Sequence, residues 1–177
     1  RALRALGRIH RVFGTAGVLL GELGRRLPPG RGALTRPVRV LDLACGGGEL
    51  TRAVHHAAHR RGLPYRFDGC DVSPVAIGHA RGCDHGQGPR RRGGDDASAD
   101  EPGFFVHDAL SDPPPTGYDA VMCSLFLHHL EDEAAVTLLR RMRATSAVGI
   151  VHDLRRGRRS LAATWVGVRL ITRCGVV

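Results

Sequence analysis

The chain has 177 residues, 42% hydrophobic and 24% charged, which fits one domain with a real core and excludes a disordered or collagen-like chain. The net charge is +9, but all 26 basic residues are Arg and there is neither Lys nor Asn, so the basic excess reads in part as GC-rich coding. Aromatic residues make up 5% and the arginines are spread along most of the chain, which argues against a nucleic-acid partner.

The five cysteines, Cys45, Cys70, Cys83, Cys123 and Cys174, are odd in number and show no CxxC spacing. That disfavours a disulfide framework or a zinc knuckle and predicts a reducing cytoplasm. The opening RALRALGRIHR has no signal-peptide pattern. The apolar run over 161–177 is interrupted by Arg169 and Arg173 and is shorter than the ~20 residues of a membrane span. The first residue is Arg rather than Met, as expected of a fragment.

In chain order, Leu3, Leu6, Ile9, Phe13, Leu19, Leu20 and Leu23 recur at helical intervals and predict an amphipathic helix over 3–27, broken near Gly14 and Gly17. Leu27-Pro28-Pro29-Gly30 ends it. Residues 38–44, VRVLDLA, read as a strand buried on both faces. Cys45-Gly46-Gly47-Gly48 follows directly, then a helix over 49–61 closed by Gly62 and Pro64. A second strand is expected over 65–71. Ser73 as cap and Pro74 in the first turn predict a helix to about Arg81. Residues 82–103, rich in Gly, Arg, Asp and Pro, read as a mobile insertion. A third strand over 104–107 ends at Asp108, and 111–115 forms a stiff loop. A fourth strand is expected over 118–124, then a helix over 131–144 with acids in its first turn, a fifth strand over 147–153, and a helical remainder from about Ser160. Strands alternating with helices predict the α/β class, a Rossmann-like doubly wound parallel sheet. Residues 1–36 are expected to form an N-terminal helical segment and 37–177 the core.

The informative segment is VLDLACGGGEL, residues 40–50: a buried strand delivers the chain to a glycine-rich turn and a helix starts at once. In open α/β sheets, ligands lie at the carboxyl ends of strands near such a turn, where glycines let the backbone approach them. The dinucleotide pattern G-x-G-x-x-G, started at Gly46, reaches Gly48 and then fails at Thr51. The pattern acid-x-G-x-G-x-G, started at Asp42, gives Asp42, Ala44, Gly46 and Gly48, with only the first glycine replaced.

On these residues the sequence resembles a class I S-adenosylmethionine-dependent methyltransferase over about residues 36–155, most like the small-molecule group that includes quinone-ring methyltransferases. Further segments carry the resemblance: Gly69-Cys70-Asp71-Val72-Ser73 at the second strand, Val106-His107-Asp108-Ala109-Leu110 at the third, the strand from Tyr118 to Ser124, and Leu125-Phe126-Leu127-His128-His129-Leu130 beyond it. The resemblance implies S-adenosylmethionine as cofactor. Asp71 would hold the ribose hydroxyls and Asp108 would lie near the adenine amino group. Asp42 would organise the turn and, directly or through water, the methionine amino group. The implied cofactor-binding set is Asp42, Ala44, Cys45, Gly46, Gly48, Asp71, Val72, Asp108, Ala109 and Ser124, with no metal. Methyl transfer to an oxygen or carbon of a small aromatic or polyketide-like acceptor is the expected reaction. The family sheet has seven strands and this chain supplies five, so it reads as truncated after the fifth.

Other features have plainer readings. His55, His56 and His59 share a helix without an HExxH frame and are expected on a solvated face; His79, Cys83 and His85 are read likewise. Cys45 is expected to be an ordinary small residue rather than a nucleophile. Asp112-Pro113-Pro114 resembles the acid-Pro-Pro signature of nucleic-acid amino methyltransferases but stands before the fourth strand instead of after it. His128, His129 and His152 are expected at the carboxyl ends of strands, where an imidazole can accept a proton or simply line a pocket; no catalytic base is assigned. Two other classes stay open, a catalytically silent cofactor-binding module and an RNA methyltransferase; a nicotinamide enzyme is disfavoured by Thr51.

Overall fold

The computed structural model describes residues 14–28, 36–82, 101–113 and 115–153. The elements are α1 (Thr15–Arg26), β1 (Val38–Leu43), α2 (Glu49–Arg60), β2 (Tyr65–Asp71), α3 (Pro74–Ala80), β3 (Gly103–Val106), β4 (Ala120–Ser124), a 3-10 turn (Leu127–His129), α4 (Asp132–Thr145) and β5 (Val148–His152). The strands form one all-parallel sheet in the order β3-β2-β1-β4-β5. The chain runs outward from β1 to β3, then returns to place β4 beside β1. This reversal creates a switch point between β1 and β4, where the adjoining connections leave on opposite sides of the sheet.

Period-two side-chain alternation divides the core. Val38 and Val40 of β1, Phe67 of β2, and Ala120 and Met122 of β4 face Leu50, Val54 and Ala58 of α2 and Leu19, Leu20 and Leu23 of α1. Leu41, Leu43, Val121 and Cys123 point the other way, against Leu138 and Met142 of α4. A strand buried on both faces needs apolar residues at successive positions, which is why β1 and β4 read as continuous hydrophobic runs. Each fully buried Leu or Phe contributes about 1.5–3 kcal/mol over an exposed one. The Tyr65 hydroxyl donates to the Leu27 carbonyl at 2.7 Å, fastening the end of α1 to the start of β2.

The expected α/β sheet is observed, with small shifts at element ends. Helix α1 begins at Thr15 with Gly14, at φ 62°, as its N-cap. Ser73 caps α3, its Oγ accepting from the Ala76 N–H at 3.2 Å, and Pro74 opens the helix as expected. Strand β4 starts at Ala120, later than expected, because Tyr118 and Asp119 bind side chains below the sheet. The Tyr118 hydroxyl donates to Asp68, and Asp119 accepts from Arg36 at 2.7 and 2.8 Å and from the Arg39 N–H. The Arg36 guanidinium and these hydrogen bonds hold the Asp119 carboxyl below the usual carboxylate range.

His55 differs from expectation: it is 4% exposed, edge-on to Phe67 at 6.3 Å. It lies within the stripe of Leu50, Thr51, Val54, Ala57 and Ala58 that α2 turns inward, whereas His56 and His59 are exposed as expected. The expected helix over 3–13, most of the 82–103 insertion (residues 83–100, with Cys83 and His85) and the apolar run from 160, with Cys174, lie outside the described residues.

Candidate functional site at the carboxyl ends of β1, β2 and β4

Beyond Leu43, three left-handed residues occur within five: Ala44 at φ 55°, Gly46 at 56° and Gly48 at 76°. Cys45 N–H still donates to the Cys70 carbonyl at 2.9 Å, and Gly48 N–H closes the turn onto the Cys45 carbonyl at 3.0 Å. Gly48 has two reasons to be glycine, since a Cβ there would also lie 2.6 Å from the Phe104 ring. Gly46 has only the backbone reason: nothing stands within 4 Å of its missing Cβ, so its α-carbon faces open space. Ala44 sits where the pattern has glycine, and its left-handed conformation supplies the physical motive for glycine there.

The acid at the tip of β2 meets this turn. The Asp71 carboxylate accepts from the Gly46 N–H at 2.9 Å through Oδ2 and from the Ser73 N–H at 2.9 Å through Oδ1. Each carboxylate oxygen has a second lone-pair direction, so these bonds fix the group and leave it acceptor capacity. Asp42, by contrast, is 2% exposed, and its Oδ2 accepts from the Thr51 hydroxyl at 2.6 Å. Burial pushes its pKa up to about 7, the Asp71 charge adds to the rise, and the Thr51 hydrogen bond opposes it.

A cleft of about 190 Å³ opens between the ends of β1 and β4. Asp42, Ala44, Cys45 and Gly46 form one wall, and Ser124, Leu125, Phe126 and His129 the other. Leu125 is also left-handed, at φ 54°, an uncommon conformation for a large side chain and one that tends to cluster at functional sites. Burial, with the charge of Asp42 next, drives the Cys45 thiol pKa far up, so it stays protonated and is a poor nucleophile. Glu49 and His79, 3.5 Å apart, flank Gly47, where a Cβ would come within 2.9 Å of both. A larger hollow of about 510 Å³ lies between α4 and β5, away from the glycine turn.

Of the expected cofactor set, Asp42, Ala44, Cys45, Gly46 and Ser124 line the cleft, Gly48 closes the turn below it, and Asp71 is bonded to it. Val72 lies beside Asp71 and is 62% exposed. Asp108 turns into its own loop, accepting from the Leu110 N–H at 2.8 Å and the Ser111 hydroxyl at 2.5 Å, which lower its pKa. Ala109 packs partly buried against the core on the α4 side. Sequence reasoning assigned no role to Thr51, the partner of Asp42, although a threonine within the apolar stripe of α2 is a readable signal. It also left Asp153 without a role. The Asp153 carboxylate is 2.9 Å from the His128 backbone N–H and 2.6 Å from His128 Nδ1.

A model of the methyltransferase domain family matches residues 40–149. Among solved structures, the chain superposes on magnesium protoporphyrin IX methyltransferase (ChlM) of Synechocystis PCC 6803 with bound SAH, at TM-score 0.59 and 18% identity, over 92% of this chain and 63% of that one. It superposes on the DszA carbon methyltransferase at TM-score 0.58 and 17% identity, over 92% of this chain and 42% of that one. The methyltransferase domain of bacterial CtHen1-CN gives TM-score 0.53 and 17% identity, with 88% and 82% covered. The chain thus spans less than two thirds of the Synechocystis enzyme, and at these identities the likeness is one of fold. With the family model covering most of the sheet and the strand order matching that fold, the chain belongs to the methyltransferase domain family, the S-adenosylmethionine-dependent class I proteins.

Proposed function

We propose that the cleft binds S-adenosylmethionine and that the chain serves methyl transfer to an oxygen or carbon of a small acceptor with an aromatic or polyketide-like ring. The observation that carries this reading is the bond from the Gly46 N–H to Asp71, which joins the ribose-binding acid to the turn at the switch point. A vicinal diol offers two hydroxyl donors, and the fixed Asp71 carboxylate keeps lone pairs for both.

The remaining residues fit the cofactor by their chemistry. Asp42, buried but lining the cleft, titrates near neutrality, and its ionised form suits an ammonium group, directly or through water. The open side of Gly46 admits the methionyl chain without a Cβ in the way. Val72 offers an exposed apolar surface at the β2 tip for a base to cover, with Asp108 and Ala109 on the adjacent loop. The enclosed 190 Å³ is smaller than the roughly 300–1,000 Å³ of whole small-molecule sites, so it suits the methionyl end, with the nucleoside lying along the strand tips. The bound sulfonium supplies an already activated methyl group. The protein's task is therefore to hold the acceptor in line and keep water away. Phe126, Leu127 and Leu130, partly buried beyond β4, provide apolar surface on the acceptor side.

We place the protein in a reducing cytoplasm on the strength of its free Cys45, Cys70 and Cys123. No helix among the described residues is long and apolar enough to cross a membrane. We also keep the division into an N-terminal helical segment, 1–36, and a core, 37–177.

Isothermal calorimetry with S-adenosylmethionine tests the reading. Asp71→Ala removes charge-assisted hydrogen bonds worth about 1.5–3 kcal/mol each, so affinity should fall tenfold or more. Undiminished binding by the variant would remove Asp71 from the ribose site. Binding without turnover on any acceptor would favour a silent module.

A further inference from the structure

We propose that Glu49 makes the cleft select its ligand by charge, holding the cationic sulfonium more tightly than the neutral thioether left after methyl transfer. This rests on the cofactor reading above and adds a specificity-determining residue to it.

The distribution of charge carries the inference. The chain has 26 Arg and a net charge of +9, yet among the described residues no arginine lines the cleft. The acids there are Asp42 and Glu49, and Asp71 is bonded to the Gly46 N–H beside them. His129, on the opposite wall, is the imidazole in the lining.

The three carboxylates are held differently. Asp71 engages one backbone N–H with each oxygen, that of Gly46 and that of Ser73. Asp42, 2% exposed, accepts from the Thr51 hydroxyl through Oδ2, which leaves Oδ1 for a ligand in the cleft that it lines. Glu49 is the first residue of α2, directly after the left-handed Gly48 cap. Its carboxylate folds back over the glycine turn: both oxygens lie 2.9 Å from where a Gly47 Cβ would stand. Glycine at 47 therefore leaves room for the acid. The Glu49 side chain is 25% exposed, and a charge in such a partly enclosed setting is felt more strongly than in bulk water.

Arg52, on the same helix, is engaged elsewhere. Its guanidinium donates to the Gly47 and Ala80 carbonyls and lies 4.9 Å over the Phe104 ring. His79 Nε2 stands 3.5 Å from Glu49 Oε1 and offsets its charge only when protonated. A neutral imidazole thus leaves the turn with a carboxylate that no arginine pairs.

Such a wall favours a ligand with a positive centre. As the acceptor atom bonds to the methyl carbon, the methyl–sulfur bond breaks and its electron pair stays on sulfur. The sulfur charge is then gone, and a protonated acceptor gives its proton to solvent. The same carboxylates attract the neutral product less, which favours its release.

Calorimetry on the whole chain at about pH 8, above the Asp42 value of about 7 and the ordinary imidazole range, tests this with three ligands. They are S-adenosylmethionine, sinefungin, which carries an amine in place of the methyl sulfonium, and neutral S-adenosylhomocysteine. Both cations should bind about tenfold more tightly than S-adenosylhomocysteine, and Glu49→Gln should lower that ratio about fivefold without weakening the neutral ligand. Retained S-adenosylhomocysteine binding shows that the variant is folded. Glu49→Asp keeps a charge there and should retain most of the preference. Glu22→Gln, on α1 and outside the cleft, should leave it unchanged. No preference in the wild type, an unchanged ratio in Glu49→Gln, or the same fall in Glu22→Gln would overturn the proposal. Binding of all three ligands with the ratio untouched sinks only the role of Glu49, whereas no binding of any of them sinks the cofactor reading as well.

Discussion

Asp42 offers a test on a single carboxyl that folding has taken out of water. Its pKa rises from 3.8 to about 7, with burial as the largest cause. The folded chain therefore keeps this proton where the unfolded chain has released it. The stability so gained is complete below 3.8 and is lost as pH rises through about 7. Between about pH 5 and about pH 8 the loss amounts to about 2.5 kcal/mol. For a chain of this length that is about 5–10 °C in Tm. Asp42→Asn keeps an oxygen for the Thr51 hydroxyl and does not titrate. Urea denaturation of both proteins at the two ends of the window gives the difference, in which the other carboxylates cancel. The variant should gain about 2.5 kcal/mol on wild type as the pH is raised across the window. A stability gap that does not change with pH would refute the reasoning, because it would mean that Asp42 is ionised in the fold throughout.

Three further substitutions probe the turn and its support. Ala44→Gly relieves a left-handed backbone worth about 1–2 kcal/mol while loosening the unfolded chain by about 0.4–1 kcal/mol. A net gain of roughly 0.5–1 kcal/mol should appear as a higher urea midpoint at unchanged slope; no gain would mean that Ala44 carries no strain. Gly48→Ala adds both backbone strain and an overlap with Phe104, and should cost on the order of 2–4 kcal/mol. Combining it with Phe104→Leu should recover part of the loss, and failure to do so would remove the ring from the explanation. Thr51→Val keeps the shape but leaves Asp42 without its donor, costing about 1–3 kcal/mol, and Thr51→Ser should restore most of it.

The sheet was legible because its central strands are buried on both faces. VRVLDL and AVMCS leave little choice but a parallel strand, and the glycines after the first mark where it ends. The pairing of Asp71 with the turn was legible too, since an acid ending the neighbouring strand must lie beside it in this topology. Contacts that depend on how elements pack were not. His55, expected on a solvated face in the absence of an HExxH frame, is instead enclosed beside Phe67 of β2, a contact between elements distant in sequence. Phe104 stands more than fifty residues from Gly48, and nothing local in either segment announces that the ring lies where a Cβ would go. Asp153 became the partner of His128 only when β4 and β5 paired in register. Asp108, placed by resemblance near an adenine, spends both carboxylate oxygens within its own loop, as its spacing to Leu110 and Ser111 allows.

The most direct measurement is a crystal structure of the chain with S-adenosylhomocysteine. The expected density places both ribose hydroxyls within hydrogen-bonding distance of the Asp71 carboxylate and the amino acid end in the cleft beside Asp42 and Gly46. Density for the nucleoside in the hollow between α4 and β5, or on the opposite end of the sheet, would contradict the assignment.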